Sequence, residues 1–294
     1  MKIVILPKNL NDLDKFKADI VIVGIDKLSW YIPFVINKRN FKSTINLINK
    51  SNKQVFIAVN KLMTNSDLSL LKSYLKLINN NSVVGILFDD PAVYQLCSKT
   101  DLSIPLIHFS SHLITNYQTA DFWLKKGLNG VLLSTEITLD EILSIRSQTS
   151  TPLLMQGYGY LPMFVSHRNL ITSYLKFLKL PIKKQEYIIE EPVSKRKFNI
   201  YENNKDTIIL SDYFINVYSL LFKLNNKIDY LLLSSLGVES NKFKKVVNYF
   251  SKVIKNKEEL KTINDKIIKL SPIKPNEGFL FTKTIYKVKK YEKK

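Results

Sequence analysis

The sequence predicts an α/β fold, specifically a (β/α)8 TIM-like barrel with a subdomain inserted between the seventh and eighth strands. Three observations support this prediction. Short apolar runs rich in β-branched residues alternate with helical patterns along the first half of the chain. These runs show no polar alternation, which is typical of parallel strands buried on both faces. The chain has 294 residues, enough for one large barrel. An open, doubly wound parallel sheet is the alternative that the same pattern allows.

Eight apolar runs are the predicted barrel strands. The strict alternation of the first seven with helical segments implies a parallel sheet. The eighth, residues 228–233, comes after a long interruption and precedes an amphipathic helical segment at 240–254. Eight such units in a chain of this length predict closure into a barrel. The first seven runs are residues 3–6, 20–23, 54–59, 83–88, 105–108, 130–133 and 152–156.

Helix start signals stand between several of these runs. Asp90 followed by Pro91 predicts an N-cap with proline in the first turn. Thr138 and Glu141 have the spacing of a capping box. Ser66 is predicted to cap the helix that follows it.

The chain is predicted to divide into three parts. Residues 1–160 form the barrel up to its seventh strand, 161–226 the inserted subdomain, and 227–294 the eighth strand, the closing helices and a basic tail. The insertion is too long to lack structure. Its predicted elements are a helix at 169–178, a charged stretch at 183–197, and a hairpin of 197–201 and 207–210 that turns at 203–205.

The charge of the chain favours a polyanionic partner. Lys and Arg number 44 against 25 Asp and Glu, which gives a formal net charge of +19. Residues 171–294 alone hold 26 basic and 13 acidic residues, as a phosphate-binding surface would. Only four of the basic residues are arginine, and an AT-rich genome also imposes an excess of lysine. Residues 287–294 fit either a nucleic-acid-binding arm or a solvated tail.

Several classes of protein and site are excluded. The single cysteine, Cys97, allows no internal disulfide, Cys-rich zinc site or four-cysteine iron–sulfur cluster, and we expect it to be a core thiol. No apolar run reaches 18 residues, and the first run is too short for a signal peptide, so we expect a cytoplasmic protein without a membrane span. The chain contains no GxGxxG, P-loop, HExxH or GxSxG motif.

The candidate site residues lie just beyond the predicted strands, because a barrel of this kind carries its site in those loops. The structural alternative for Asp90 is a helix cap, for His108 a packed ring, and for Tyr158 and Tyr160 packing at the barrel mouth. Arg168 is the most suggestive, since a planar guanidinium suits a carboxylate or phosphate. No metal site is predicted. The catalytic candidates are His108, Glu136, Arg168 and Asp90, and the substrate-binding candidates are Asn60, Ser111, His112, Gln156, Tyr158, Tyr160 and His167.

The order of several segments resembles that of the collagenase-like peptidase family U32. These segments are residues 59–63 with Asp67 after the third strand, 88–93 after the fourth, 105–117, 132–142 around the sixth, the signature-like region 157–170, and 278–286 near the end. Each segment alone is weak evidence for the family, but together and in this order they are fairly specific for it. They resemble especially the short members found in low-GC Gram-positive bacteria.

The resemblance implies a barrel-like fold and one of two activities. Some members of the family are described as collagenase-like proteases, and others act in hydroxylation, including formation of 5-hydroxyuridine at the tRNA wobble position. It also implies tRNA as a partner. For such a partner we expect Tyr158 and Tyr160 to stack on an extruded base. The alternative role for Arg168 is to hold a small carboxylate co-substrate.

The sequence departs from the family pattern in three places. A His-Gly-x-x-Cys run of the family is replaced here by Tyr158-Gly159-Tyr160-Leu161-Pro162, and an Arg-Glu pair usual after the sixth strand is replaced by Thr135-Glu136. The cysteines that hold an iron–sulfur cluster in several members are absent. We therefore expect no cofactor bound by cysteine and no such cluster in this chain. Three functions stay open: an enzyme of tRNA hydroxylation, a protease, or a non-catalytic subunit that binds RNA or a paralogous family member as heterodimer partner.

Overall fold

A computed structural model describes residues 1–100, 102–182, 186–202, 206–252 and 257–282. The strands are β1 (Lys2–Leu6), β2 (Ile20–Ile25), β3 (Val35–Ile36), β4 (Gln54–Val59), β5 (Gly85–Phe88), β6 (Leu106–His108), β7 (Val131–Leu132), β8 (Leu153–Ser166), β9 (Glu186–Glu190), β10 (Lys197–Glu202), β11 (Thr207–Asn216) and β12 (Tyr230–Ser234). The helices are α1 (Phe41–Lys50), α2 (Asp67–Asn79), α3 (Pro91–Cys97), α4 (Tyr117–Lys125), α5 (Leu139–Gln148), α6 (Leu170–Phe177), α7 (Leu221–Leu224), α8 (Ser240–Phe250) and α9 (Lys257–Leu270).

Eight parallel strands close into a barrel, as predicted. Their order is β12-β1-β2-β4-β5-β6-β7-β8, and β8 pairs back with β12. The closing register places Leu154 beside Tyr230 and Gln156 beside Leu232, with a shift after that pair. Because all eight strands are parallel, their carboxyl ends face the same side of the molecule. The open-sheet alternative is therefore wrong.

Apolar side chains fill the barrel and separate it from its helices. One buried cluster inside the barrel combines alternate residues of the strands, among them Val4, Ile22, Ala58 and Leu87. A second, larger cluster includes the intervening strand residues and packs them against the helices. The two clusters reflect the period of two along each strand, which sends successive side chains to opposite faces of the wall.

The helix boundaries follow local signals in most cases. Asp90 caps α3 by accepting a hydrogen bond from the Ala92 amide, with Pro91 in the first turn. Thr138 and Glu141 form the predicted capping box of α5. The predicted cap at Ser66 is wrong: its side chain makes no capping bond, and the Asp67 carboxylate instead accepts from the Thr64 amide.

The inserted region is a sheet that grows out of the barrel wall. β8 continues past the barrel and pairs antiparallel with β11, which pairs with β10, and β10 pairs with β9. The predicted helix and hairpin are present as α6 and β10–β11, although the turn at 203–205 lies outside the described residues. The charged stretch contributes an unpredicted edge strand, β9. The predicted boundary at residue 160 falls within β8.

The C-terminal part of the chain packs on the outside of the barrel. Buried residues of α8, such as Phe243 and Phe250, lie against the wall. Beyond α9, the Leu280 carbonyl accepts a hydrogen bond from the Leu139 amide at the start of α5. The basic segment 287–294 and residues 283–286 of the last family-like segment lie outside the described residues. Within the described part of the chain, no helix has the length and apolarity needed to cross a membrane.

Candidate functional site

The loop after β2 folds over the carboxyl end of the barrel. Ile32, in this loop, packs with the interior cluster. The buried Asn60, just past β4, holds the loop by its amide: its oxygen accepts from the Trp30 amide at 3.1 Å, and its nitrogen donates to the Trp30 carbonyl at 3.2 Å. The next residue, Tyr31, has a φ of 42°, an unusual value for a bulky side chain. Asn60 thus helps to fix a strained backbone at the mouth.

Asp89 lies at this mouth and interacts with Tyr31. Burial raises the pKa of Asp89, an effect partly offset by a hydrogen bond from Ser110 and by the charge of His112. The pKa of the Tyr31 hydroxyl is raised by burial and by the negative charge of Asp89, against a hydrogen bond with Asn60. Carboxyl and phenol groups with shifted pKa values, close together in a cleft, are typical of a functional site.

Other predicted residues form the rim of the mouth. The exposed side chains of His112 and Glu136 approach each other, with 3.8 Å between Nδ1 and Oε1. Ser111 is buried, and its carbonyl accepts a hydrogen bond from the Thr135 amide. The buried Gln156 donates from Nε2 to the Tyr160 carbonyl at 2.9 Å, so this predicted binding residue braces its own strand.

A cavity of about 290 Å³ lies between the loop after β2 and the inserted sheet. Trp30, Tyr31 and Tyr201 supply aromatic surface to it, and Glu202 and Asp206 supply carboxylates. Glu202 accepts hydrogen bonds from the Ile171 and Thr172 amides and so stabilises the start of α6. The remaining lining residues are Ile32, Pro33, Val165, Thr207, Ile208 and Leu236.

The predicted residues His167 and Arg168 stand beside this cavity. The His167 ring packs on Trp30 with 5.0 Å between ring centroids, and its Nδ1 lies 2.9 Å from Oδ1 of Asp206. The Arg168 carbonyl accepts from the Thr207 hydroxyl at 2.7 Å, which ties this residue to the cavity wall. Its side chain is exposed and makes no ion pair with any residue that the structure describes.

Four of the predicted residues lie away from the mouth or are occupied structurally. His108 points outwards from the wall, fully buried, with its ring stacked on Trp123 at 4.6 Å. Asp90 caps α3 and also accepts from the Met63 amide. Tyr158 and Tyr160 are buried against Phe214, so stacking on an extruded base finds no support in their positions.

Trp30, Tyr31 and Asp89 were not among the predicted site residues, although the neighbouring Asp90 was. Leu87 belongs to the interior cluster, so Asp89, two residues later, falls on the inner side by the period of two. The same rule places His108 outside, because Ile107 is inside. Parity of this kind identifies Asp89 only once the inward-facing residues of β5 are known from the structure. Nothing in the sequence indicates that the loop after β2 folds back over the mouth.

Comparison with known proteins gives the chain its family. Residues 7–289 match the sequence profile of peptidase family U32. This chain is a member of family U32. It is similar to tRNA hydroxylation protein P2 of Bacillus subtilis, at 25% identity over 92% of this chain and 93% of that protein. It is also similar to tRNA hydroxylation protein P of Escherichia coli, at 28% identity over 57% of this chain but only 38% of that protein.

A solved structure supports the fold of this U32 member. The U32 peptidase Mk0906 superposes with a TM-score of 0.50, covering 79% of this chain and 91% of that one. The sequence identity is 11%, so the likeness concerns the fold alone.

The iron–sulfur cluster of some family members does not fit the residues of this chain. Cys97 is buried in α3, and burial raises the pKa of its thiol to about 12, which disfavours the thiolate that a cluster needs. Across the described ranges, no group of three or more His, Cys, Asp or Glu side chains is arranged to hold a metal ion. The expectation that the chain binds no cluster stays a prediction.

Proposed function

We propose that this U32 protein acts in tRNA modification, in the hydroxylation of the wobble uridine, with the barrel mouth as its working site. The observation that carries the proposal is the match to tRNA hydroxylation protein P2, which extends over nearly the whole of both chains and so includes the barrel and the insertion. The excess of positive charge in residues 171–294 suits an RNA substrate. Since tRNA modification takes place in the cytoplasm, we infer a cytoplasmic location.

Within this proposal, Arg168 is the residue that holds an anion at the mouth. Its guanidinium is exposed beside the cavity and has no ion-pair partner in the described part of the chain. A planar fork of donors of this kind binds a carboxylate or a phosphate in two places at once. A small carboxylate co-substrate and a tRNA phosphate are both ligands of this class.

We further propose that a paralogous family member is the partner of this chain. Bacillus subtilis has both a P1 and a P2 protein among the relatives of this chain. The inserted region exposes apolar side chains that a partner would cover, among them Tyr174, Phe177, Ile188 and Val193. A partner would also supply an iron–sulfur cluster, for which this chain lacks the cysteines. The hydroxylation activity of the purified chain, measured with and without that partner, decides whether this chain is the enzyme or a subunit of it.

The test is the modified-nucleoside profile of tRNA from a strain that lacks this chain. We expect 5-hydroxyuridine to disappear on deletion and to return with the wild-type gene, but not with Arg168→Gln. Arg168→Lys keeps the charge without the fork and should restore only part of the modification. Arg196→Gln is the matched control, because Arg196 lies in the same inserted region and pairs with Asp212.

Three outcomes would count against the proposal. An unchanged nucleoside profile in the deletion strain would exclude a role in this modification. Hydrolysis of casein by the purified chain, lost in His167→Ala, would favour the protease reading of the family instead. RNA binding that does not weaken as salt is raised would also count against the proposal, because phosphate contacts are salt-dependent.

A further inference from the structure

We propose that the cavity beneath Trp30 receives one unstacked nucleobase of the RNA, while the phosphates on either side stay outside it. This inference rests on the proposed function and deepens it, because it assigns the base-binding pocket to residues that neither the motifs nor the family resemblance selected. It replaces Tyr158 and Tyr160, which are buried in the core, as the aromatic residues that meet the substrate.

The size and walls of the cavity suit a flat ring. Pockets for drug-sized ligands begin at roughly 300 Å³, so a cavity of about 290 Å³ accommodates one small ring system and not a folded peptide. Trp30, Tyr31 and Tyr201 offer aromatic faces, and Pro33, Val165 and Leu236 add apolar surface. Bases that leave the stack bind to aromatic faces of this kind whatever their identity.

The charges around the cavity select the base over the backbone. Glu202 and Asp206 are the charged residues among its described lining, and no described lining residue is Lys or Arg. In a chain of net charge +19 this is an unusual surface. A phosphate would meet two carboxylates there, whereas a neutral base would not be repelled.

Cationic and polar groups lie beside the cavity, where the backbone of an inserted nucleotide would run. Arg168 is tied to the wall through the Thr207 hydroxyl and extends into solvent.

Trp30 fluorescence tests the inference directly. The chain has two tryptophans, so Trp123→Phe leaves Trp30 as the single reporter. The probe is an RNA hairpin with one unpaired uridine in its loop, compared with the same hairpin made abasic at that position. We expect the uridine hairpin to quench Trp30 and to bind about 10-fold more tightly than the abasic one. Equal quenching by the two hairpins, or quenching by neither, would overturn the assignment.

A cavity-filling pair gives a second, independent measurement. Val165→Phe fills the cavity from β8, and Met163→Phe makes the same kind of change on the exposed side chain two residues earlier. We expect Val165→Phe to weaken hairpin binding about 10-fold and to fail to restore 5-hydroxyuridine, with Met163→Phe behaving as wild type.

The two hypotheses fail in different ways. If deletion removes 5-hydroxyuridine but Val165→Phe restores it fully, the pocket assignment is wrong and the proposed function stands. If deletion leaves the modification unchanged, the proposed function is wrong, and the fluorescence comparison of the two hairpins still decides whether the cavity binds a base.

Discussion

The two faces of the barrel wall treat polar side chains in opposite ways. On the inner face, at the mouth, Asn60 and Asp89 are buried or half-buried but hydrogen-bonded and linked to the loop after β2. On the outer face, His108 and Tyr158 are fully buried among aromatic rings of the helix layer. Asn60, Asp89 and His108 stand at or just beyond the end of a strand, and Tyr158 stands where β8 makes its last pair with β12. Position along the strand therefore does not decide whether a polar side chain reaches the mouth; the face does.

The largest expected effect separates the two faces by stability. Tyr158→Ala should lower the free energy of unfolding by about 3–5 kcal/mol, since it empties a site packed between Phe214, Phe243 and Phe250. Tyr31→Ala, at the half-buried mouth, should cost clearly less. Urea denaturation of both variants measures this. Similar losses in the two variants would remove the distinction between the faces.

Asn60 tests whether the inner face positions the loop. Asn60→Ala removes both hydrogen bonds to the Trp30 backbone and should cost roughly 2–3 kcal/mol, because it leaves a buried amide and a buried carbonyl without partners. Hydrogen exchange of residues 26–34 should accelerate in the variant. Ser111→Ala is the control, since the Ser111 contact to Thr135 uses its carbonyl and survives the change. Unchanged exchange in Asn60→Ala would show that the loop is held by other contacts.

Much of the fold could be predicted from the sequence because it depends on local patterns. The eight strands follow from hydrophobic runs in the sequence. The capping box at Thr138 and the cap at Asp90 follow from residues within one helical turn of each other, so these signals do not depend on distant parts of the chain. The edge strand β9 was missed because its apolar run is only three residues long, lies between Glu186 and Glu190, and is mostly exposed. Its pairing with β10 depends on residues distant in the sequence.

The site was predicted less well than the fold, for a physical reason. Strands buried on both faces are apolar at every position, so the sequence does not reveal which residues point inwards. His108 and Asp90 were therefore chosen as catalytic candidates, although the alternation of side chains along a strand places Asp89 on the inner face. Trp30 and Tyr31 come from a loop whose path depends on Asn60, 30 residues away from Trp30, and no local signal encodes that contact.

His108 offers a test of the outer face that depends on pH. Burial lowers the pKa of its ring to about 4 from a usual value of 6.5, and neither ring nitrogen has a hydrogen-bond partner among the described residues. The unfolded chain therefore takes up a proton at this residue below pH 6.5 while the folded chain does not until about pH 4. The free energy of unfolding should therefore fall by about 2 kcal/mol by pH 5 because of this residue.

His108→Leu should abolish that loss of stability between pH 7 and pH 5, and it should stabilise the protein at pH 7 by about 1 kcal/mol because two unpaired polar atoms leave the core. His112→Leu, at the exposed rim, is the matched control and should change stability by less than about 0.5 kcal/mol. The urea midpoints at the two pH values provide the measurement. An equal pH dependence in wild type and His108→Leu would mean that His108 has a partner or reaches water.

The smallest effect on stability is expected at Asp89, and its comparison with the neighbouring Asp90 gives the sharpest test of the two faces. Asp90→Ala removes the cap of α3 and the bond to the Met63 amide, and should cost about 1–2 kcal/mol. Asp89→Asn should leave stability at pH 7 unchanged or slightly higher: burial raises the pKa of Asp89, so its ionisation opposes folding as the pH rises above 3.8. Under the proposed function the order reverses for 5-hydroxyuridine, which Asp90→Ala should restore in the deletion strain and Asp89→Asn should not. If both variants restore 5-hydroxyuridine equally, Asp89 has no role in the reaction. Its role is then structural, as the role of Asp90 is.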